Sequence, residues 1–294
     1  MSAEEKSYDA LTKDSVDVAR LPLSELTKAR DLYGESLDGH TAMPGQQVIT
    51  GQRACTYFLW LNLKNETLSD LRIRKAISHA IDREALCKEA LAGTGMPAGD
   101  MIPAVIKGSR DNAWKDTEFN VEKARSLLRE YRDENPSNGV ELHLLISDTV
   151  REAFYDMIRD NLESVGFVVR KKQPQSTEEY ETFRGGPALM FSGWIADFLD
   201  MENFLTPLFG TGGGANDMGY ENPAFDTMVA KARAALNEPL RIAAYQRADD
   251  MVAEDMAVVP LYYPTLDIVC SDRVNDLYVA PDEIADLRKA WVTL

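Results

Sequence analysis

A tryptophan and an aspartate three positions apart, Trp194 and Asp197, are the side chains in this sequence best suited to hold a ligand. They follow the apolar run 188–191, which Gly and Pro residues at 185–187 precede. A short apolar run bounded in this way predicts a buried strand. Ligand sites of open α/β sheets lie just past the carboxyl ends of such strands. The pair could therefore offer an aromatic wall and a fixed negative charge to a ligand that carries an amine.

Both residues also have a structural interpretation. Trp194 could pack in the core, and Asp197 could cap a helix that begins near Phe198. Judged from the residues alone, these structural roles are preferred.

Catalytic motifs are absent from the sequence. It contains no nucleophile elbow, His-Glu-x-x-His helix or dinucleotide-binding fingerprint. The glycine-rich run 210–216 lacks the Lys-Ser/Thr pair of a phosphate-binding loop, and the three histidines are scattered. We therefore predict no catalytic residue, metal ligand or cofactor, and we expect a protein that is not an enzyme.

Composition indicates an acidic globular protein. The 294 residues include 32 basic and 48 acidic side chains, which gives a net charge of −16. This charge disfavours binding to nucleic acids and broad attachment to anionic membranes, and it weakly favours cationic ligands. The three cysteines, Cys55, Cys87 and Cys270, form no Cys-x-x-Cys pair, and the sequence leaves open a disulfide between Cys55 and Cys270.

Alternating elements must position the candidate site. The order of strand 140–146, helix 151–165 and strand 167–171 predicts a βαβ unit with parallel strands. Aromatic and apolar runs at 56–62 and 258–263 predict two further strands.

The strongest helical pattern runs over residues 70–91. Asp70 is its predicted N-cap, and apolar residues recur at spacings of three and four. We interpret its arginines, Arg72, Arg74 and Arg83, as a solvated face that pairs with nearby carboxylates, and His79 as a structural residue.

Two of these segments also resemble a known family. Residues 193–205 match Gly-Trp-x-Ala-Asp-x-x-Asp-x-x-x-Phe-Leu, and residues 68–86 resemble Asp-x-Arg-Val-Arg-x-Ala-[Ile/Leu]-x-x-Ala-Ile-Asp-Arg-Glu. Residues 220–226 resemble a third box, Tyr-x-Asn-Pro-x-[Phe/Tyr]-Asp. These motifs are similar to those of the oligopeptide/dipeptide solute-binding proteins of ABC importers. The resemblance extends from about Thr12 to near Trp291.

The resemblance implies an α/β fold of the periplasmic-binding-protein type (class II). We expect one lobe with a mixed β-sheet flanked by helices, together with part of a second lobe. The implied division is a partial first-lobe segment at 1–62, a ligand-binding lobe at 63–262 and a return segment to the first lobe at 263–294. Members of the family are longer, and their N-terminal half has no counterpart in this sequence.

In that family the two lobes close around a peptide. The resemblance implies that Asp197 anchors the α-amino group and that Trp194 and Ser192 line the site. Tyr57 and Tyr263, on the two strands that join the lobes, are further candidate contacts, although either could be a core residue. The implied partners are a peptide or another small amine-bearing solute and the ABC permease subunits in the membrane. No nucleic acid is expected.

The resemblance also implies a periplasmic location or a lipid anchor at the cell surface, although residues 1–6 do not resemble an export signal. Two alternatives stay open at this point. One is a cytoplasmic sensor or regulator that reuses the binding module, and the other is a truncated fragment that binds nothing.

Overall fold

Fourteen strands and eleven helices make up the part of the chain that the computed structural model describes, which is residues 2–136, 140–147 and 152–293. Numbered along the chain, the strands are β1 (Val18–Arg20), β2 (Thr41–Ala42), β3 (Val48–Ile49), β4 (Cys55–Leu61), β5 (Gly95–Pro97), β6 (Glu141–Leu145), β7 (Val168–Lys172), β8 (Ala188–Ile195), β9 (Val258–Pro264), β10 (Ile268–Cys270), β11 (Val274–Asn275), β12 (Leu277–Val279), β13 (Ala285–Asp286) and β14 (Trp291–Val292). The helices are α1 (Ala3–Thr12), α2 (Leu26–Tyr33), α3 (Glu66–Ser69), α4 (Leu71–Ala80), α5 (Arg83–Ala85), α6 (Val121–Glu134), α7 (Glu152–Val165), α8 (Thr177–Arg184), α9 (Met201–Phe209), α10 (Pro223–Ala234) and α11 (Glu238–Asp255).

The largest sheet has six strands in the order β5-β9-β4-β8-β6-β7. It is mixed, because β6 pairs in parallel with β7 and β8, while β4 pairs antiparallel with β8 and β9. The predicted mixed α/β fold and the parallel βαβ unit are confirmed. The helix of that unit was predicted from residue 151, which lies outside the described residues. β4 is aromatic, apolar and buried along nearly its whole length, as expected for a strand near the centre of a sheet.

Three separate clusters of buried side chains stabilise the described part of the chain. The largest draws its buried members from residues 54–262 and surrounds the six-stranded sheet. Two smaller clusters combine residues 8–49 with residues 266–279 and pack around three-stranded sheets of order β1-β10-β3 and β13-β12-β2. The division into lobes stays a prediction. The position of β4 inside the large sheet favours a first boundary before Cys55 over one after Asn62.

The helix predicted over residues 70–91 is wrong in its extent. Asp70 does cap it, but α4 ends at Ala80, and Ile81 is extended with φ −89° and ψ 117°. Asp82 then accepts a hydrogen bond from the N–H of Ala85 at 2.9 Å and starts α5, which continues into a π-helical turn at Leu86–Ala90. A second N-cap inside the periodic segment therefore divides it.

The solvated arginine face predicted on this segment is also wrong for two of its three members. Arg74 and Arg83 are buried and donate to main-chain carbonyl groups, whereas Arg72 pairs with Asp70 as predicted, at 2.7 Å. The structural role predicted for His79 is confirmed, because its buried ring bonds the Glu118 carbonyl at 2.7 Å.

The three cysteines are all buried and free, so Cys55 and Cys270 form no disulfide. Within the described ranges, every helix is too short or too polar to cross a membrane.

Candidate functional site

The carboxyl-terminal half of β8 lies at an opening in the large sheet. β4 accompanies β8 over residues 189–195, whereas β6 pairs with it only over residues 188–190. Among the described residues, the stretch 191–195 therefore has a neighbouring strand on one side only. We call this stretch the open edge of β8.

Two hydrogen bonds show which backbone groups point toward the open edge. The Ala196 N–H donates to the Ala54 carbonyl on the β4 side at 2.8 Å, and the Pro187 carbonyl accepts from the His143 N–H on the β6 side at 2.9 Å. Because backbone groups alternate along a strand, even-numbered residues of β8 bond toward β4 and odd-numbered residues point toward β6 and the open edge. The odd-numbered residues of the open edge are Phe191, Gly193 and Ile195.

Asp197 lies directly beyond this edge and is positioned by Asn203. The buried Asn203 side chain accepts hydrogen bonds from the Asp197 backbone N–H at 3.0 Å and from Trp194 Nε1 at 3.1 Å. Its Nδ2 approaches Asp197 Oδ2 at 3.4 Å. The exposed carboxylate of Asp197 and the half-buried indole of Trp194 are therefore held to one amide group.

The helix-capping role considered for Asp197 belongs to Asp200, whose carboxylate accepts from the Glu202 N–H at 3.0 Å at the start of α9. Asn203 itself was not predicted from the sequence. The sequence feature that indicates its role is a polar residue on a helix whose other buried residues are apolar.

Two cavities adjoin the open edge. The indole cavity, of about 220 Å³, lies on the face of β8 that carries its even-numbered side chains. Its lining includes Trp60, Arg184, Ser192, Trp194, Leu208 and Asp217. The strand-end cavity, of about 400 Å³, lies at the carboxyl ends of β6 and β7. Its lining includes Leu145, Tyr155, Gln173, Gln175, Met190 and Phe191.

A third cavity, of about 550 Å³, lies beside α5 and β5 and contains none of the predicted site residues. It lies at the far side of the six-stranded sheet, next to the edge strand β5, and is therefore separated from Trp194 and Asp197. We therefore place the candidate site at the open edge of β8.

Tyr57 lies on the opposite face of the sheet from Ser192 and Trp194. It pairs with Gly193, and its ring stacks on Phe191 and Tyr262 with centroid distances of 5.1 and 4.9 Å. A Cβ atom on Gly193 would lie 2.5 Å from the Tyr57 ring, so this strand position requires glycine. Burial raises the pKa of the Tyr57 hydroxyl.

Tyr263 is separated from the other predicted contacts. It is buried, and its hydroxyl donates to the carboxylate of Asp100 at 2.9 Å. Its neighbour Tyr262, which was not predicted, stacks on Tyr57 instead. The pairing of β4 with β9 shifts register between Tyr57 and Phe58, and a shift of one residue exchanges the two faces of a strand.

Asp100, the partner of Tyr263, lies near a second buried carboxylate, that of Asp249. Asp249 accepts from Trp114 Nε1 at 2.9 Å and from Arg110 at 2.8 Å. Burial raises the pKa of Asp249 to about 7, and the nearby charge of Asp100 acts in the same direction.

Asp249→Asn is expected to reduce the pH dependence of stability. Because the folded-state pKa lies above the ordinary value of 3.8, the folded protein binds this proton more tightly than the unfolded chain does. The resulting stabilisation is fully present below about pH 4 and is lost as the pH rises through about 7, at about 1.4 kcal/mol per pH unit. Urea unfolding at about pH 5 and at about pH 7.5 should show a smaller difference for the variant than for the wild type. Asp250→Asn, a half-exposed partner of the same Arg110, is the control, and an equal change in both variants would contradict the assignment.

The chain is similar to known proteins in both sequence and fold. The family model of bacterial extracellular solute-binding proteins, family 5 Middle, matches residues 3–216. The oligopeptide-binding protein OppA of Bacillus subtilis is 26% identical over 234 residues, which are 72% of this chain and 40% of that protein. Di/tripeptide-binding protein 2 of Pseudomonas aeruginosa is 26% identical over 292 residues, which are 95% of this chain and 54% of that protein.

The solved structure of HbpA2 from Haemophilus parasuis superposes on this chain with a TM-score of 0.82 at 21% identity. The superposed region is 99% of this chain and 56% of the HbpA2 chain. The chain thus spans about half the length of the relatives it matches, and it shares their class II periplasmic-binding-protein fold. With its family model matched over residues 3–216, this chain belongs to the bacterial extracellular solute-binding proteins, family 5 Middle.

Proposed function

We propose that this chain binds a peptide, which lies as an extended strand along the open edge of β8. The observation that carries the proposal is a row of outward-pointing backbone groups at Phe191, Gly193 and Ile195, with a carboxylate directly beyond it at Asp197. A peptide added to such an edge gains main-chain hydrogen bonds that do not depend on its sequence. Other small solutes lack this repeating pattern of donors and acceptors.

The position of Asp197 sets the direction of the bound peptide. Its exposed carboxylate would hold the α-ammonium group by a charge-assisted hydrogen bond. The first peptide residue then lies opposite Ile195, and the chain runs antiparallel to β8 toward the strand-end cavity. The net charge of −16 favours the approach of this positive end.

The wider role follows from the family and from the names of the relatives. We propose that the complete binding unit closes two lobes around the peptide, with β4 and β9 near the hinge. It would then deliver the peptide to an ABC permease from the periplasm or from the cell surface. Membership of a family of extracellular solute-binding proteins supports this location. The absence of a catalytic role is proposed on the same basis.

Asp197→Asn is expected to weaken the binding of tetra-alanine by about 10- to 100-fold, because a charge-assisted hydrogen bond contributes about 1.5–3 kcal/mol. Calorimetric titration of the whole chain with the free peptide and with its N-acetylated form measures the effect. In the wild type, acetylation should weaken binding by a similar factor, and in the variant it should make little difference.

Glu221→Gln is the matched control, because it removes one exposed negative charge on the segment that leads into α10. It should leave both affinities unchanged. Equal binding of free and acetylated peptide by the wild type would reject Asp197 as the ammonium anchor. Failure of the wild type to bind any peptide would reject the proposed function.

A further inference from the structure

The indole cavity lies where alternate side chains of the bound peptide would point. Residues directly opposite each other in an antiparallel pair carry their side chains on the same face of the sheet. If the first peptide residue lies opposite Ile195, the second lies opposite Trp194 and the fourth opposite Ser192. Both of these strand residues line the indole cavity.

The walls of the indole cavity are mainly aromatic and apolar. The side chains of Phe58 and Trp60 come from β4, those of Met190 and Trp194 come from β8, and Leu208 comes from α9. Flat rings of this kind favour an aromatic guest through stacked or edge-to-face contacts. A volume of about 220 Å³ is small for a whole ligand and suits a single large side chain.

One polar group in these walls has no partner. Trp60 is only 6% exposed, and its Nε1 donor forms no hydrogen bond within the described residues. The guanidinium of Arg184 covers the Trp60 ring at 5.5 Å and reaches the exposed carboxylate of Asp217 at 3.3 Å. An unpaired buried donor is costly, so a small turn of the Trp60 ring that brought Nε1 to an oxygen atom at the tip of the guest would stabilise the complex.

We propose that the indole cavity selects a bulky aromatic side chain, such as tyrosine, at the second residue of the bound peptide. This inference rests on the proposed function, and it adds a preference among peptides. The opposite face of β8 is occupied by the stacked rings of Tyr57, Phe191 and Tyr262. The Tyr57 ring fills the space over Gly193, so an aromatic residue at the third position would meet a filled surface rather than a cavity, and we expect it to add little.

Calorimetric titration of the whole chain with three tetrapeptides tests the proposal. Ala-Tyr-Ala-Ala should bind at least about 10-fold more tightly than Ala-Ala-Tyr-Ala, which should bind about as well as tetra-alanine. Equal affinities of the two tyrosine peptides would overturn the inference while leaving the proposed function in place. No binding of any of the three would overturn both.

Two variants locate the effect in the cavity. Ala215→Phe fills part of the lining and should reduce the preference for Ala-Tyr-Ala-Ala. Ala230→Phe makes the same change on the exposed face of α10 and should leave the preference intact. If Ala215→Phe unfolds, Trp60→Phe is the alternative variant, because it removes the unpaired donor. It should weaken the binding of Ala-Tyr-Ala-Ala more than the binding of Ala-Phe-Ala-Ala. A preference for the tyrosine peptide that survives a folded Ala215→Phe variant would overturn the inference.

Discussion

Arg83→Met is expected to lower the free energy of unfolding by about 3–5 kcal/mol, enough to unfold a domain of ordinary stability. The guanidinium is buried and donates to the carbonyls of Pro260 and Thr117, both at 2.7 Å, and to that of Ser78 at 3.1 Å. These acceptors belong to three different segments of the chain. Methionine fills a similar volume but leaves the acceptors buried and unpaired, which is the costly outcome for polar groups.

Arg72→Met is the matched control for this prediction. Arg72 lies on the same predicted helix, but its guanidinium is partly exposed and pairs with Asp70 at 2.7 Å and Glu134 at 2.8 Å. Exposed ion pairs contribute at most about 1 kcal/mol, so its loss should be small. Urea unfolding of both variants measures the difference. Similar destabilisation by the two substitutions would show that the carbonyl contacts of Arg83 do not stabilise the fold.

Arg83 also helps to explain why the helix over 70–91 was predicted too long. Apolar residues continue at helical spacing through the break at Ile81, because both halves pack against the same core. Periodicity therefore cannot show the interruption. The break is set by the Asp82 cap and by the reach of Arg83 to a strand that is distant in sequence, and only the first of these is visible locally.

The candidate site, too, could be predicted only in part from the sequence, because part of it depends on contacts between distant segments. Trp194 and Asp197 could be found because a local motif places both at the end of one strand. The partners of Tyr57 could not be found, because the register shift between β4 and β9 decides whether Leu261 or Tyr262 lies opposite it. The open edge exists because β6 pairs only with the first residues of β8. The sequence of neither strand alone shows where that pairing stops.

Asn203→Ala is expected to have the second large effect, on stability and on binding together. Asn203 is 3% exposed, and its amide joins Trp194 Nε1, the Asp197 N–H and the Asp197 carboxylate. Alanine removes all three contacts, so we expect the free energy of unfolding to fall by about 1–3 kcal/mol. Under conditions in which the Asn203→Ala variant is still folded, it should bind tetra-alanine about 10-fold more weakly than the wild type does. The reason is that the carboxylate of Asp197 is no longer held at the end of the open edge.

A comparison with Asn203→Asp separates positioning from stability. The aspartate keeps an acceptor for Trp194 and the Asp197 N–H, so it should restore part of the lost stability. It also replaces the amide donor near Asp197 with a second negative charge. The decisive measurement is the ratio of affinities for free and N-acetylated tetra-alanine. If Asn203 positions Asp197, this ratio falls in the alanine variant even where the protein is fully folded. If Asn203 only stabilises the fold, both affinities change together and the ratio stays at the wild-type value.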